Sequence, residues 1–280
     1  MTSLSQPLPL EDTWIDVLGK AKHGIQMTDE KLAATIGVSV SALQDIFDGK
    51  LPSDDMLRKL ATTLGLRANA LLDLAHQRYR PEPLDPDRWP NILQLPSYYM
   101  DIIVNSYLLW DLHSHEAILF DTGTDLKVIQ NSLKTQKLKL KILCITHTHG
   151  DHVAILHELI EAYHPRLIAP KREPISNAAL VDEGAEWMVG ELKVRTLLVD
   201  GHSPGHLAYV IEGCHSWPAP VAVVGDVLFA GSMGGGRVSY QRLRTHMQTK
   251  ILVLPPATLV CPGHGPTTTV EEEQKHNSFA

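Results

Sequence analysis

Several features are scarce or missing in this 280-residue chain, and each absence excludes something. It has only three cysteines, Cys144, Cys214 and Cys261. Three widely spaced cysteines cannot form a disulfide framework, so a reducing compartment, the cytoplasm, is expected. No run approaches the roughly 20 apolar residues of a membrane helix. The start, MTSLSQPLPLEDTW, has neither a basic n-region nor an apolar h-region, so no secretory leader is expected. Basic charge is also short, with 25 Lys+Arg against 32 Asp+Glu and a net charge of −7. That balance weighs against nucleic acid as the main partner. There is no Walker loop, so no P-loop is available.

Histidine is abundant. There are 15, and all but His23 and His76 fall at or beyond His113. Histidine is the commonest metal ligand, but spacing decides whether the enrichment matters.

Three regions differ in pattern. Residues 1–76 read as a small all-α domain, with apolar residues at helical spacing such as Leu57, Leu60, Ala61 and Leu64. Ser39 and Ser53 are expected as N-caps, and Gly65 as a helix terminator. Residues 77–96 carry five prolines, which predicts an extended linker, with Trp89 able to anchor it. From residue 97 to 280, short apolar runs alternate with helical segments, as in an α/β domain. Strands are expected at 117–120, 142–146, 167–169, 192–199, 207–211, 221–224 and 259–261. Helices are expected near 125–137, 152–163, 173–186 and 239–252.

The chemistry concentrates in Thr-His-Thr-His-Gly-Asp-His, residues 146–152. His147 and His149 alternate on an extended backbone, so their imidazoles can converge. Asp151 and His152 follow as the chain turns toward a helix, which suits two adjacent metals better than one. Gly201-His202-Ser203-Pro204-Gly205-His206, Gly225-Asp226 and Pro262-Gly263-His264-Gly265 each place a ligand type after a predicted strand. Open α/β sheets build sites at such strand ends.

Together with Asp121-Thr122-Gly123, these motifs resemble the metallo-β-lactamase-fold superfamily, in its glyoxalase II-like branch. The resemblance implies an αβ/βα sandwich with metals at one edge between two sheets. It implies one zinc on His147, His149 and His202, a second on Asp151, His152 and His264, and Asp226 bridging both. It implies a hydrolase in which a metal-bridging hydroxide attacks an ester-like bond of a small molecule, such as a thioester or lactone. Asp151 and Asp226 are then the catalytic carboxylates, with Asp151 orienting the attacking group. The bridging Asp226 points away from true β-lactamases, which usually lack it. Few residues follow His264, so a glutathione-binding helical domain like that of glyoxalase II is not expected, nor specificity for glutathione thioesters. Arg237 and Tyr240 are candidate substrate contacts, and His206 and Asp121 candidates for orienting ligands. Persulfide dioxygenases share this fold, and one Fe2+ on His147, His202 and Asp226 is the alternative occupant.

Residues 27–66 resemble helix-turn-helix domains of the phage-repressor type, with Val40–Phe47 as second helix and Ser39, Val40, Ser41 and Gln44 outward. Residues 1–80 hold 9 basic and 10 acidic residues. With Asp45 and Asp48 at the would-be reading helix, DNA binding is disfavoured. DNA is kept as an alternative partner, in a regulator with a metal-binding sensor domain. Homodimerisation through this module is a further expectation.

Overall fold

A computed structural model describes residues 8–280. The first seven residues, which open both the expected module and the segment without leader character, lie outside the described residues.

The N-terminal module is five helices: α1 (Trp14–Gly24), α2 (Asp29–Ile36), α3 (Val40–Phe47), α4 (Asp54–Leu64) and α5 (Ala68–Ala75). Hydroxyl side chains of Thr13, Thr28, Ser39 and Ser53 cap the first four by accepting backbone N–H bonds. Beyond them lie two six-stranded sheets. The first runs in order β1 (Ile92–Tyr99), β2 (Ile102–Trp110), β3 (Glu116–Phe120), β4 (Lys139–Cys144), β5 (Arg166–Pro170), β6 (Ala179–Val181). The second runs β12 (Thr268–Thr269), β11 (Leu259–Pro262), β10 (Val221–Gly225), β9 (Leu207–Glu212), β8 (Leu192–Leu198), β7 (Glu186–Val189). Their inner faces share an apolar core that includes Tyr107, Phe120, Cys144, Tyr209, Val223 and Cys261. The thiols of Cys144 and Cys261 are therefore packing groups.

Helices α6 (Leu126–Thr135) and α7 (Leu156–Tyr163) cover the outside of the first sheet. Outside the second sheet lie α8 (Tyr240–His246), its π-helical extension Met247–Ile251, α9 (Val270–His276) and the N-terminal module. One buried cluster unites Leu18, Leu57 and Leu71 of the module with Val199, Val210, Val224 and Phe279 of the sandwich. The module is thus a layer of the fold and shares its core.

Sequence and structure differ in several places, among them β2 (Ile102–Trp110), which fills a stretch where no strand is expected. The helix expected over 173–186 is absent, and β6 and the start of β7 occupy that stretch. Pro174 bars helix at Glu173, and Asn177 and Gly184 take left-handed backbone, φ 63 and 75°, which breaks the chain into edge strands. The expected linker also ends early, because β1 begins at Ile92. Pro96 is tolerated there because β1 is an edge strand, bonded only to β2. Before it, Trp89 is buried 6.0 Å from Trp217.

The seam between module and sandwich is polar at one point. Glu273 of α9 is fully buried and accepts bonds from Tyr79 Oη (2.6 Å), Thr268 Oγ1 (2.9 Å), Asn277 Nδ2 (2.7 Å) and the Gly231 N–H (3.0 Å). Burial outweighs these donors and lifts its carboxyl to about 7. Below pH 4.5 the carboxyl is protonated in both folded and unfolded chains, and its contribution is complete. Between there and pH 7 only the unfolded chain releases the proton, so stability falls by roughly 3 kcal/mol as pH rises. Urea unfolding of the wild type and Glu273→Gln at pH 5 and pH 8 should show this loss in the wild type only. Equal pH slopes would contradict it.

Candidate metal centre

Strands β3, β4, β8, β10 and β11 all end at the same edge of the sandwich. Pairing is parallel between β3 and β4 and between β10 and β11, and two antiparallel steps relate β8 to β10. The loops leaving these ends carry Asp121, His147 to His152, His202 and His206, Asp226, and His264. Cross-sheet bonds pin the loops: Tyr209 Oη donates to Ile145 O (2.6 Å), Leu207 N–H to Thr146 O (2.9 Å) and Asn105 N–H to Gly263 O (2.8 Å).

The protein sets the orientation of each imidazole. Gly235 O accepts from His202 Nδ1–H at 2.9 Å, and Ile103 O accepts from His264 Nδ1–H at 2.7 Å. The Asp121 carboxylate takes His152 Nδ1–H at 2.8 Å. Thr146 Oγ1 spends its proton on Asp121 and so accepts from His147 Nδ1–H at 3.0 Å. In all four rings Nε2 then faces inward. His149 instead presents Nδ1, 3.0 Å from His147 Nε2 and 2.9 Å from His202 Nε2.

Asp226 joins these rings. Its Oδ2 lies 3.3 Å from His202 Nε2, 3.5 Å from His264 Nε2 and 4.0 Å from His147 Nε2, while Oδ1 is 3.3 Å from His152 Nε2. Asp151 Oδ2 sits 3.3 Å from His264 Nε2 and 3.5 Å from His152 Nε2. Three metal-sized groups result: His147, His149 and His202; His147, His152 and Asp226; Asp151, His152 and His264. His152 Nε2 and Asp226 Oδ1 are buried without a hydrogen-bond partner among the described residues. Convergent ring nitrogens and orphaned buried polar atoms fit cations, and the donor set of imidazole and carboxylate suits zinc or iron.

The electrostatics agree. Burial, reinforced by neighbouring imidazoles, drives His147 well below its ordinary pKa, so it is neutral. Burial alone would raise Asp226, but His264 and His152 beside it hold the carboxyl well below its usual range. Burial would likewise lower His264, but the Asp226 and Asp151 carboxylates push it up to about 11. This end of the cluster stabilises positive charge.

Glycines make the close approach possible. A Cβ on Gly263 would overlap Asp226 Oδ1 and stand 2.8 Å from His152 Cε1. Gly225, at φ 50°, lets the chain turn directly into Asp226 beside His206.

The remaining expected residues separate. Asp121 orients His152 and Thr146. His206 joins none of the three groups, and its Nε2 accepts the Asp226 N–H at 3.3 Å. Arg237 is exposed, and its charge acts on His149 and His202. Tyr240 does not meet the expectation of a substrate contact. It opens α8 facing inward and is buried, packed on Gly24 of the module and 6.4 Å from the Phe279 ring.

Sequence reasoning missed Glu173. Its Oε2 accepts from Thr148 N–H and Oγ1, both at 2.8 Å, and its Oε1 from Ser203 Oγ (2.5 Å) and Gly205 N–H (2.7 Å). It ties the His147–His152 loop to the His202 turn. The helix expected over 173–186 gives Glu173 no role at the site, and its partners are distant in sequence.

Five imidazoles and two carboxylates gather at one edge of an αβ/βα sandwich, in groups of a size that could hold metal ions. The chain belongs to the metallo-beta-lactamase superfamily, whose family model matches residues 100–264, and a helix-turn-helix model matches residues 21–71. It is 30% identical over 204 residues to the probable metallo-hydrolase YqgX of Bacillus subtilis, covering 64% of this chain and 92% of that one. It is 28% identical over 200 residues to the hydroxyacylglutathione hydrolase GloC of Haemophilus influenzae, covering 62% and 92%. Among solved structures it resembles BLEG-1 B3 metallo-beta-lactamase (TM-score 0.58, 28% identity, 67% of this chain and 98% of that one). It also resembles TTHA1623 in a di-iron-bound form (TM-score 0.54, 26% identity, 66% and 100%). The chain is thus a superfamily hydrolase-like enzyme with glyoxalase II-like relatives. Among the described residues, no helix is long and apolar enough to cross a membrane.

Proposed function

We propose that the chain is a binuclear metal-dependent hydrolase of small ester-like substrates, thioesters first among them. His147, His149 and His202 would hold one zinc, Asp151, His152 and His264 the other, with Asp226 between them. The observation that carries this reading is the inward-facing Nε2 of each of the four imidazoles around Asp226, whose Nδ1 atoms are held by protein oxygens. Two divalent cations there supply a Lewis acid for the scissile carbonyl and acidify water at neutral pH.

The chain's own residues do the rest. Asp226 fixes the spacing of the two ligand groups. Asp151, at the His264 end, accepts a hydrogen bond from the attacking water and aims it. Arg237 offers a cation to an anionic part of the substrate near His149 and His202. The hydroxyacylglutathione hydrolase name of a relative supports thioesters, and the β-lactamase title of a structural neighbour puts a β-lactam in the same panel. The di-iron title of another makes iron the alternative metal.

Metal-loaded protein assayed on matched thioester, lactone, phosphodiester and β-lactam substrates should hydrolyse the thioester with the highest kcat/KM. A preference for the phosphodiester or the β-lactam would overturn this substrate assignment.

A further inference from the structure

The N-terminal module reaches the metal centre through the segment that leads into α1. A Cβ on Gly265, the residue after His264, would stand 3.2 Å from the Glu11 nitrogen and 3.5 Å from Pro9 O. Leu8, Leu10 and Glu11 on one side and Asp101, Ile102 and Ile103 on the other line a cleft of about 230 Å³ that ends at Gly265. Ile103 is also the residue whose carbonyl holds His264. The cleft therefore adjoins the centre.

Its charge is one-sided. The walls are largely apolar, and among the described residues the charged groups lining it are Glu11 and Asp101, with no cation. Glu11 is half-buried, lines the cleft beside Gly265, the residue after His264, and lies within the field of His264 and Asp226. Lys20, also within its field, is engaged by Asp12 and donates to Met233 O at 2.9 Å. Arg237 acts on the opposite, His149–His202 end. A half-buried carboxylate between apolar walls is complementary to an ammonium on a short alkyl stem.

We propose that Glu11 is a specificity-determining residue of the site and receives a cationic amine carried by the substrate on an alkyl stem. This rests on the hydrolase reading for its substrate half. The ammonium forms a charge-assisted bond to Glu11, and the stem covers the leucine and isoleucine side chains. A neutral substituent leaves Glu11 unmatched, and an anionic one is repelled. The helical module then reads the substrate, and its shared core with the sandwich holds Glu11 in place.

The first arm measures binding. Calorimetric titration of n-butylammonium into the metal-loaded full chain should give saturable binding, about tenfold weaker in Glu11→Gln and lost in Glu11→Lys. Equal affinity in all three proteins, or no saturable binding to the wild type, would overturn the proposal. Equal metal content in wild type and Glu11→Gln is expected. Metal loss in the variant would assign Glu11 to the integrity of the centre and overturn a role in selectivity. The second arm uses two thioesters that differ only in a terminal amine or methyl group. The wild type should favour the amine about tenfold in kcat/KM, through KM, and Glu11→Gln should bring the ratio close to one. An unchanged ratio in the variant would overturn the proposal. Intact amine binding without hydrolysis of either thioester would support Glu11 while sinking the thioesterase reading.

Discussion

Asp226→Ala is expected to lose bound metal and turnover together, each by more than about 100-fold. Removing even a partner that only orients a ligand costs about 10–100-fold in metal affinity or activity. Asp226 does more, since its two oxygens face His202, His264, His147 and His152 at once. Its removal leaves two half-sets of imidazoles without the charge that balances the cations. Asp121→Asn, which weakens only the hold on His152 and Thr146, should fall within the 10–100-fold range. Metal analysis and thioester hydrolysis on the same preparations check both variants. An Asp226→Ala protein that keeps its metal and its rate would contradict the assignment.

The second large effect concerns the helical module. Tyr79→Ala should destabilise the chain by about 3–5 kcal/mol, the usual cost of emptying a buried aromatic site. Tyr79 is buried where the module meets α9, donates to Glu273 and stacks on His276 with ring centroids 4.7 Å apart. Because the core is shared, wild-type melting should be one transition, seen alike by circular dichroism and tryptophan fluorescence. A separate, earlier melting of the helices would show that the module is an independent domain.

Much of the site was legible because metal ligands must be particular residue types at strand ends. His147, His149, Asp151, His152, His202, Asp226 and His264 could all be named from spacing and resemblance, and the fold brings them together. What escaped notice depends on long-range packing. Glu173 bonds to Thr148 and Ser203, far away in sequence, and nothing local marks it. Tyr240 sits beside a glycine-rich loop, yet the face it buries is set by α1, which the loop sequence does not encode. The strand β1 hid behind its own proline, and its edge position is a property of the sheet. The module was legible as helical from its apolar spacing and caps, and as helix-turn-helix from the resemblance of residues 27–66. Its attachment was not, because Leu18 or Leu71 looks the same whether it faces its own helices or a foreign sheet.

The most direct test is the metal content of the purified 280-residue chain, measured by elemental mass spectrometry after loading and removal of excess metal. Two divalent ions per chain, falling to near zero in Asp226→Ala, is the predicted result. One ion per chain at saturation, unchanged when His264 or Asp151 is replaced by alanine, would contradict a binuclear centre.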